Sequence, residues 1–177
     1  NWVKGWSVMG KAKNGELCGE PVTRYKKPNV GKTYPIQNPV ESDEFNSVTL
    51  GKQWQWHSNY DQRYGQPTPY GFFRMYTHKL SDKFVNRWEA PNLLLQKTPA
   101  DSFTATAKIK FAAKKENQYG GIIMMGLDYS ALVVKRVGDK FQLQQITCQK
   151  ADKNKPETVK VIAELNPTDK DKINYEP

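Results

Sequence analysis

Large aromatic side chains are the residues of this sequence whose spacing most clearly suggests a chemical role. The segment ESDEFNSVTLGKQWQWHSN (41–59) places Trp54 and Trp56 two positions apart, after an acidic, turn-like stretch and a glycine. On a strand both rings project to one face, whereas Gln55 and His57 face the other way. The rings either anchor the core of a domain or stack on a flat ligand such as a sugar. We favour the core, because burying one large apolar side chain stabilises a fold by roughly 1.5–3 kcal/mol and requires no function.

More aromatic residues follow the tryptophan pair. Trp88 lies in VNRWEAP (85–91), a predicted loop after a strand, and two adjacent phenylalanines precede it. These rings are candidates for exposure in a cleft, although a plug over the core explains them equally well. The candidate substrate-binding residues are Trp54, Trp56, His57, Phe72, Phe73 and Trp88.

Residues for acid–base or nucleophilic catalysis are sparse. The two histidines, His57 and His78, lie in predicted strands or at their ends, and no GxSxG motif occurs. Asp128 in GLDYS (126–130) follows an apolar run, but a residue that hydrogen-bonds nearby backbone is the simpler interpretation. No two carboxylates have a spacing that requires the acid–base chemistry of glycosidases. We therefore predict no catalytic residue in this sequence.

Metal and cofactor sites are not predicted either. Cys18 and Cys148 form no CxxC motif or Cys/His cluster, which argues against zinc. Phosphate-binding and EF-hand loop motifs do not occur. A disulfide between the two cysteines stays open. No apolar run of 18 residues occurs, so no membrane span is predicted.

The net charge of +9 raises nucleic acid as a partner. Only five of the 27 basic residues are arginine, however, and arginine supplies the planar fork that holds phosphate. The lysines are scattered, many of them in apparent loops such as KADKNKPETVK (150–160). We interpret the charge as a solvated surface and predict no nucleic-acid partner.

Strands and turns are the elements that must position these residues. Twelve glycines and eleven prolines interrupt many short apolar runs. Four prolines between positions 21 and 39 break regular structure in the first 42 residues. From residue 43 onward the pattern is typical of an all-β fold, an antiparallel β-sandwich.

Five segments predict the strands of this sandwich. DSFTATAKIKF (101–111) alternates as a half-buried antiparallel strand does, and YGGIIMMGL (119–127) is apolar on both faces, which predicts a central strand. A tight turn at Gly138-Asp139 joins two further strands. The remaining predicted strands are SALVVKRV (130–137), KFQLQQITC (140–148) and ETVKVIAEL (157–165).

Four segments occur in a fixed order: CGEPVTRYKKPNVG (18–31), ESDEFNSVTLGKQWQWHSN (41–59), PNLLLQKTPADSFTATAKIKF (91–111) and GGIIMMGLDYSALVV (120–134). Together they resemble glycoside hydrolase family 43, in particular its β-xylosidase and α-L-arabinofuranosidase type with a C-terminal sandwich. The resemblance implies a concanavalin A-like jelly roll that follows a five-bladed β-propeller with three catalytic carboxylates.

This layout implies a division of the chain. Residues 1–42 would be the tail of the upstream β-propeller with its connecting segment, and residues 43–177 would be the accessory β-sandwich. None of the 18 acids matches the catalytic motifs of the family, so the chain alone is expected to be inactive. Relatives usually continue beyond a strand such as 157–165. We therefore expect a sandwich that is incomplete at the C-terminus, with an open edge that makes it less stable than a longer chain.

The resemblance also implies a function. The parent enzyme would hydrolyse xylosyl or arabinofuranosyl linkages of plant hemicellulose, and this domain would brace the propeller and shape the sugar pocket. Its partners would be a plant-type oligo- or polysaccharide and the upstream propeller, in a secreted or periplasmic location, although no signal peptide is recognised in these residues. One alternative is an independent carbohydrate-binding, lectin-like module, which needs an exposed ring. The other is nucleic-acid binding, whose affinity would fall steeply with salt.

Overall fold

The chain forms two compact units, Asn1–Asn38 and Pro39–Pro177. The computed structural model describes residues 2–3, 6–7, 10–12, 19–20, 24, 26, 29–35, 37–38 and 40–166. In the first unit, short antiparallel pairs join β1 (Trp2–Val3) to β2 (Trp6–Ser7) and β3 (Lys11–Ala12) to β4 (Gly19–Glu20). The interpretation of residues 1–42 as the tail of a propeller stays a prediction.

A four-stranded antiparallel sheet forms the largest element of the second unit. Its strands are β9 (Tyr119–Met124), β10 (Tyr129–Val137), β11 (Lys140–Cys148) and β12 (Thr158–Leu165), in the spatial order β12-β11-β10-β9. The last three confirm the strands predicted at 130–137, 140–148 and 157–165 to within a residue or so at each end.

The β10–β11 hairpin closes through the predicted two-residue turn. Val137 pairs with Lys140, and Gly138 between them has a φ of 59°. A glycine at the first central position is favoured in such turns because it adopts positive φ without a steric penalty. The turn fixes the register in which β10 and β11 pair along their whole length.

Two smaller antiparallel pairs precede the large sheet. Strand β5 (Gln55–Trp56) pairs with β8 (Leu94–Leu95), and β6 (Gly65–Pro67) pairs with β7 (Phe73–Met75). Short 3₁₀-helices occur at Arg87–Glu89 and Ala151–Lys153. The predicted all-β, antiparallel class is therefore confirmed. Among the described residues, no helix is long and apolar enough to cross a membrane.

The best-buried apolar residues lie on one face of the large sheet. Ala131 pairs with Ile123 on one side and Ile146 on the other, and Ala131 and Ile146 are each 2% exposed. Tyr129 and Cys148 extend this face to the end of the sheet, where Ala151 covers them. The alternation of β10 and β11 places these side chains together.

The strand predicted at 101–111 was wrong. This segment has no hydrogen-bonded partner strand among the described residues. Burial alternates from Ala107 to Phe111, as the sequence does, and the Phe111 ring packs on Phe141 at 6.0 Å. The period of two thus indicated side-chain orientation correctly, but a strand also needs a neighbour that accepts and donates ladder hydrogen bonds.

The prediction of a central strand at 119–127 was also wrong. Strand β9 is an edge of the sheet within the described part of the chain, and its Ile122 and Met124 are 37% and 51% exposed. The segment 101–111 passes close enough for Phe111 to lie against Gly120, but it forms no ladder with β9. A continuous apolar run therefore indicated the sheet without indicating the position of the strand in it.

Candidate functional site

The tryptophan pair lies in an aromatic cluster of the second unit. The Trp54 ring contacts Phe45 at 5.4 Å, and Phe45 contacts Phe73 at 5.6 Å. Trp56 contacts Phe73 at 6.1 Å and Tyr64 at 5.5 Å. We call Phe45, Trp54, Trp56, Tyr64 and Phe73 the aromatic cluster. Its members cover one another, which favours the core interpretation of the pair.

The Asp43 carboxylate holds the first tryptophan of this cluster in place. This carboxylate accepts hydrogen bonds from the Phe45 backbone N–H at 2.7 Å and the Trp54 indole N–H at 2.8 Å. The Gln53 amide donates a third at 3.2 Å. A carboxylate with three donors orients the indole and is committed to structure.

His57 lies on the opposite side of β5 and contacts Trp88. Its Nε2 is 2.9 Å from the Trp88 carbonyl oxygen, so that nitrogen carries the proton and donates it. The two rings also meet edge to face at 5.3 Å. The His57 ring therefore covers part of the Trp88 ring, and 36% of Trp88 stays exposed.

The loop that carries Trp88 is fixed by the preceding asparagine. Asn86 is fully buried, and its side-chain oxygen accepts from the Trp88 N–H at 3.0 Å, which caps the 3₁₀-helix. Its amide nitrogen donates to the carbonyl oxygens of Ala151 at 3.1 Å and Lys155 at 2.8 Å. This side chain therefore ties the loop to the segment between β11 and β12.

Next to Asn86, a buried network joins Arg87, Tyr129 and Glu157. The Arg87 guanidinium pairs with the Glu157 carboxylate, and their side chains are only 6% and 12% exposed. The Tyr129 hydroxyl donates to the same carboxylate and accepts from the Arg87 N–H at 2.8 Å. The guanidinium also lies over the Tyr119 ring, 4.5 Å from its centroid. The Arg87 charge is thus balanced by that of Glu157, and the Tyr129 hydroxyl both donates and accepts a hydrogen bond.

The electrostatics of the buried network favour neutral tyrosines. Burial raises the pKa of the Tyr129 hydroxyl, and its hydrogen bond to Glu157 raises it further. The pKa of Tyr119 is also raised, chiefly by burial, although the nearby Arg87 charge opposes this. Both phenols therefore keep their protons at neutral pH, and neither is set up to act as a base there.

A cleft of about 840 Å³ opens beside this network at the end of β10 and β11. Tyr129 and Cys148 form its buried part. Its rim includes three hydroxyl side chains that stand in register on neighbouring strands, Ser130, Thr147 and Thr158. Cys148 is a free thiol, and Cys18, with which a disulfide was left open, lies outside the described residues.

Asp128 also lines this cleft. Its Oδ1 accepts a hydrogen bond from the Lys150 N–H at 2.7 Å, which ties the start of β10 to the residues after β11. This contact supports the simpler interpretation of Asp128 as a backbone-binding residue. Among the described residues, no group of three or more metal-binding side chains comes together.

The tip of the β6–β7 hairpin, residues 68–72, presents exposed rings. Tyr70 is 80% exposed and stacks on Phe72, with ring centroids 6.4 Å apart and planes 21° apart. The Arg74 guanidinium carbon lies over the Phe72 ring at 5.6 Å. Phe73 points the other way, into the aromatic cluster. The two adjacent phenylalanines therefore have opposite environments, as strand alternation requires.

Hydrogen bonds hold the hairpin tip in one conformation. The backbone N–H and hydroxyl of Thr68 both donate to the Phe72 carbonyl oxygen, at 3.1 and 2.7 Å. The Thr68 hydroxyl accepts from the Tyr70 N–H at 3.4 Å. Gly71 has a φ of 73°, and a Cβ at this position would lie 2.9 Å from the Asn46 side-chain oxygen. The positive φ favours glycine, whereas the Asn46 contact involves the end of an exposed side chain that can move away.

The six predicted substrate-binding residues are not brought together in one place. Three belong to the aromatic cluster, two contact each other beside the 3₁₀-helix, and one lies at the hairpin tip, so their role in binding stays a prediction. Sequence reasoning missed Tyr70 and Arg74, although the turn TPYGF (68–72) places a tyrosine directly before a glycine. It also missed the buried network, because Arg87 and Glu157 are 70 positions apart. In order, the six are Trp54, Trp56, Phe73, His57, Trp88 and Phe72.

Comparison with known proteins agrees with this architecture. The sequence profile of the β-xylosidase C-terminal concanavalin A-like domain matches residues 42–173. A β-xylosidase of Formosa agariphila is 30% identical over 76% of this chain. The match covers 26% of that relative, so the chain spans about a quarter of its length. No solved structure matches the chain.

Proposed function

Because the chain belongs to the family of β-xylosidase C-terminal concanavalin A-like domains, we propose that it serves a glycoside hydrolase that acts on xylosyl or arabinofuranosyl linkages of plant hemicellulose. The predicted resemblance to glycoside hydrolase family 43 is confirmed, and the domain is the accessory C-terminal sandwich of a β-xylosidase-type protein. The substrate, the catalytic propeller and a secreted or periplasmic location are parts of the proposal.

The observation that carries the proposal is the family match over residues 42–173, which covers most of the second unit. The relative from Formosa agariphila, which aligns with 76% of this chain, is named a β-xylosidase. A domain of this family has its function within a longer chain. We therefore assign hydrolysis to the parent protein and a supporting role to this sandwich.

The carboxylates of the second unit support this division of labour. An inverting glycosidase needs two carboxyl groups about 6.5–9.5 Å apart, with a water between them. Asp43 holds the Trp54 indole, Asp128 holds the Lys150 N–H, and Glu157 belongs to the buried network. Each of these acids already has a structural partner, so the catalytic pair would come from the propeller.

The loop at residues 86–90 suits a role at the mouth of a sugar pocket. Asn86 and Arg87 are buried and hydrogen-bonded to Lys155 and Glu157, so the backbone directly before Trp88 is held in place. Trp88 itself stays 36% exposed on this fixed support. A ring on a rigid base loses little entropy on contact with a substrate or a second domain. In the proposal, this domain braces the propeller and helps to shape the pocket.

Hydrolysis assays test the proposal directly. An aryl xyloside and an aryl arabinofuranoside are offered to this chain and to the same chain extended upstream. We expect the extended chain to hydrolyse at least one of these glycosides and the shorter chain to hydrolyse neither. Hydrolysis by this chain alone would overturn the division of labour, and Asp128 would be the first acid to mutate. An extended chain that hydrolyses neither glycoside would overturn the assigned substrate class.

A second candidate function is an independent carbohydrate-binding module. The observation that favours it is the exposed Tyr70–Phe72 stack at the hairpin tip. A module of this kind binds oligosaccharide without any propeller. If Trp88 were its platform, Trp88→Ala would abolish binding, and unchanged affinity would exclude Trp88 from that role.

A further inference from the structure

We propose that the outer face of the β6–β7 hairpin is a sugar-binding platform, on which the Tyr70 ring stacks against a neutral sugar ring. The choice of a sugar rests on the proposed function of the parent protein. The platform consists of Tyr70, Phe72, Arg74 and Tyr76, with Gln66 beside them on the paired strand.

Exposed rings are concentrated on this face. Tyr70, Phe72 and Tyr76 are 80%, 41% and 39% exposed. Part of the apolar surface of each ring therefore faces solvent. Scattered exposed apolar residues are normal on proteins, but a contiguous group marks a contact surface. Arg74 and Gln66 pair across the two strands and place polar groups between the rings. Alternating flat apolar and polar groups match a sugar, which has apolar ring faces and hydroxyl edges.

The platform is organised before any ligand arrives. Thr68 holds the Phe72 carbonyl through two hydrogen bonds, and Gly71 provides the positive φ that closes the tip. Tyr70 then rests on Phe72, and Phe72 lies beneath the Arg74 guanidinium. Tyrosine supplies a large, rigid contact area at low conformational-entropy cost. Binding therefore requires little ordering of the protein.

The polar groups of the platform have capacity for sugar hydroxyls. Among the described residues, the Arg74 guanidinium has no hydrogen-bond or ion-pair partner, so its donors face solvent. The Gln66 amide donates to the Tyr76 hydroxyl at 3.3 Å, and its carbonyl oxygen is an acceptor. Sugar hydroxyls both donate and accept, and these side chains offer both functions.

The local charge favours a neutral ligand over nucleic acid. The segment GQPTPYGFFRMY (65–76) contains one arginine and no lysine, although the chain carries a net charge of +9. Single-stranded nucleic acid also stacks on aromatic side chains, but its binding sites combine the rings with a positively charged groove that follows the phosphates. One cation does not make such a groove.

The test is calorimetric titration of this chain with xylotetraose, with Tyr60→Ala as the matched control for Tyr70→Ala. Tyr60 is also exposed, at 67%, but its ring lies against Trp56 rather than on the platform. We expect Tyr70→Ala to weaken affinity about tenfold or more, as loss of a tyrosine hot spot does. Tyr60→Ala should leave the affinity unchanged. Tyr70→Phe keeps the ring and should bind within about twofold of wild type, which separates stacking from the hydroxyl.

Three outcomes would overturn the platform. They are no binding of xylotetraose by the wild-type chain, equal affinities for wild type and Tyr70→Ala, and tighter binding of a thymidine oligonucleotide than of xylotetraose with loss of that binding at high salt. None of them bears on hydrolysis by the extended chain, so failure of the platform and failure of the proposed function are separate results. Far-ultraviolet circular dichroism of each variant confirms that the fold is retained.

Discussion

In the described part of the second unit, two arginines lie over aromatic rings, one of them buried and the other exposed. Arg87 lies 4.5 Å from the centroid of the Tyr119 ring, and Arg74 lies 5.6 Å from that of Phe72. The first has a buried carboxylate partner in Glu157, whereas the second is exposed at the platform. A cation–aromatic contact contributes about 0.5–1 kcal/mol when exposed and about 2 kcal/mol or more when desolvated.

Contacts between an arginine and an aromatic ring thus serve two different purposes in this protein. In the buried network the guanidinium pairs with Glu157 and the Arg87 N–H donates to Glu157 and to Tyr129, so the arginine contributes to the stability of the fold. On the platform the guanidinium keeps its donors, so the arginine contributes little to stability and is free for recognition. Burial and partners, rather than the contact itself, separate a structural arginine from a ligand-binding one.

The largest expected effect comes from breaking the buried pair. Arg87→Met removes the cation and leaves Glu157 buried without its counterion, which we expect to lower the free energy of unfolding by about 3–5 kcal/mol. Arg74→Met is the matched control and should cost about 0.5–1 kcal/mol, because its cation is solvated. Urea denaturation of both variants measures the two values. Equal losses would remove the distinction between the two arginines.

Removing Asn86 should have the next largest effect. Asn86→Ala removes one donor from each of the Ala151 and Lys155 carbonyl oxygens, which keep the Asn154 N–H and the Cys148 thiol, and it removes the cap from the Trp88 N–H. A hydrogen bond contributes about 0.5–1.5 kcal/mol net, and three are lost here, so we expect a loss of about 2–3 kcal/mol. Chemical denaturation measures it. A loss below that of Arg74→Met would show that this loop is not tied to the sheet as the contacts indicate.

Tyr129→Phe should have a smaller effect at neutral pH and a distinctive one at alkaline pH. The substitution removes the hydroxyl that donates to Glu157 and accepts from the Arg87 N–H, and we expect a loss of about 1–2 kcal/mol at pH 7. The free energy of unfolding is then measured from pH 7 to pH 11 in wild type and variant.

The sign of the pH dependence follows from the raised pKa of Tyr129 in the folded state. An unfolded tyrosine loses its proton near pH 10, while the folded one retains it to higher pH. The unfolded state therefore binds fewer protons above about pH 10, and wild-type stability falls as pH rises, by at most about 1.4 kcal/mol per pH unit for this residue. The stability of Tyr129→Phe should fall less steeply, although Tyr119, whose pKa is also raised, still contributes to the slope. Identical slopes would exclude Tyr129 as the titrating group.

Local patterns predicted the large sheet better than they predicted the positions that matter for binding. The hairpin through Gly138 and strands β10 to β12 followed from alternation and turn chemistry, which act between neighbours in sequence. Strand β9 was recognised as a strand, but its place at the edge depends on whether the distant segment 101–111 forms a ladder with it. The alternation of apolar and polar residues within one segment carries no information on which strand it pairs with.

The same limit applies to the candidate site. Aromatic residue type indicated Trp54 and Phe73 as candidates, and the structure places both in the aromatic cluster. Tyr70 escaped notice because its exposure depends on the conformation of a five-residue tip, which Gly71 and Thr68 set together. The pairing of Arg87 with Glu157 joins positions that no short motif connects. Local patterns predicted an antiparallel β-sandwich, and only the family resemblance identified it as concanavalin A-like.

The smallest expected effect on stability is that of Tyr70→Ala. Tyr70 is 80% exposed, and its ring contact with Phe72 lies at the surface, so truncation should change the free energy of unfolding by no more than about 0.5 kcal/mol. The two hydrogen bonds from Thr68 to the Phe72 carbonyl do not involve Tyr70, and the third uses only the Tyr70 backbone N–H, so all three survive the substitution. Urea denaturation of this variant and of Arg87→Met under the same conditions measures the smallest and the largest expected loss of unfolding free energy. A loss above about 1 kcal/mol would mean that Tyr70 supports the fold, and its presence at the surface would then be explained without a ligand.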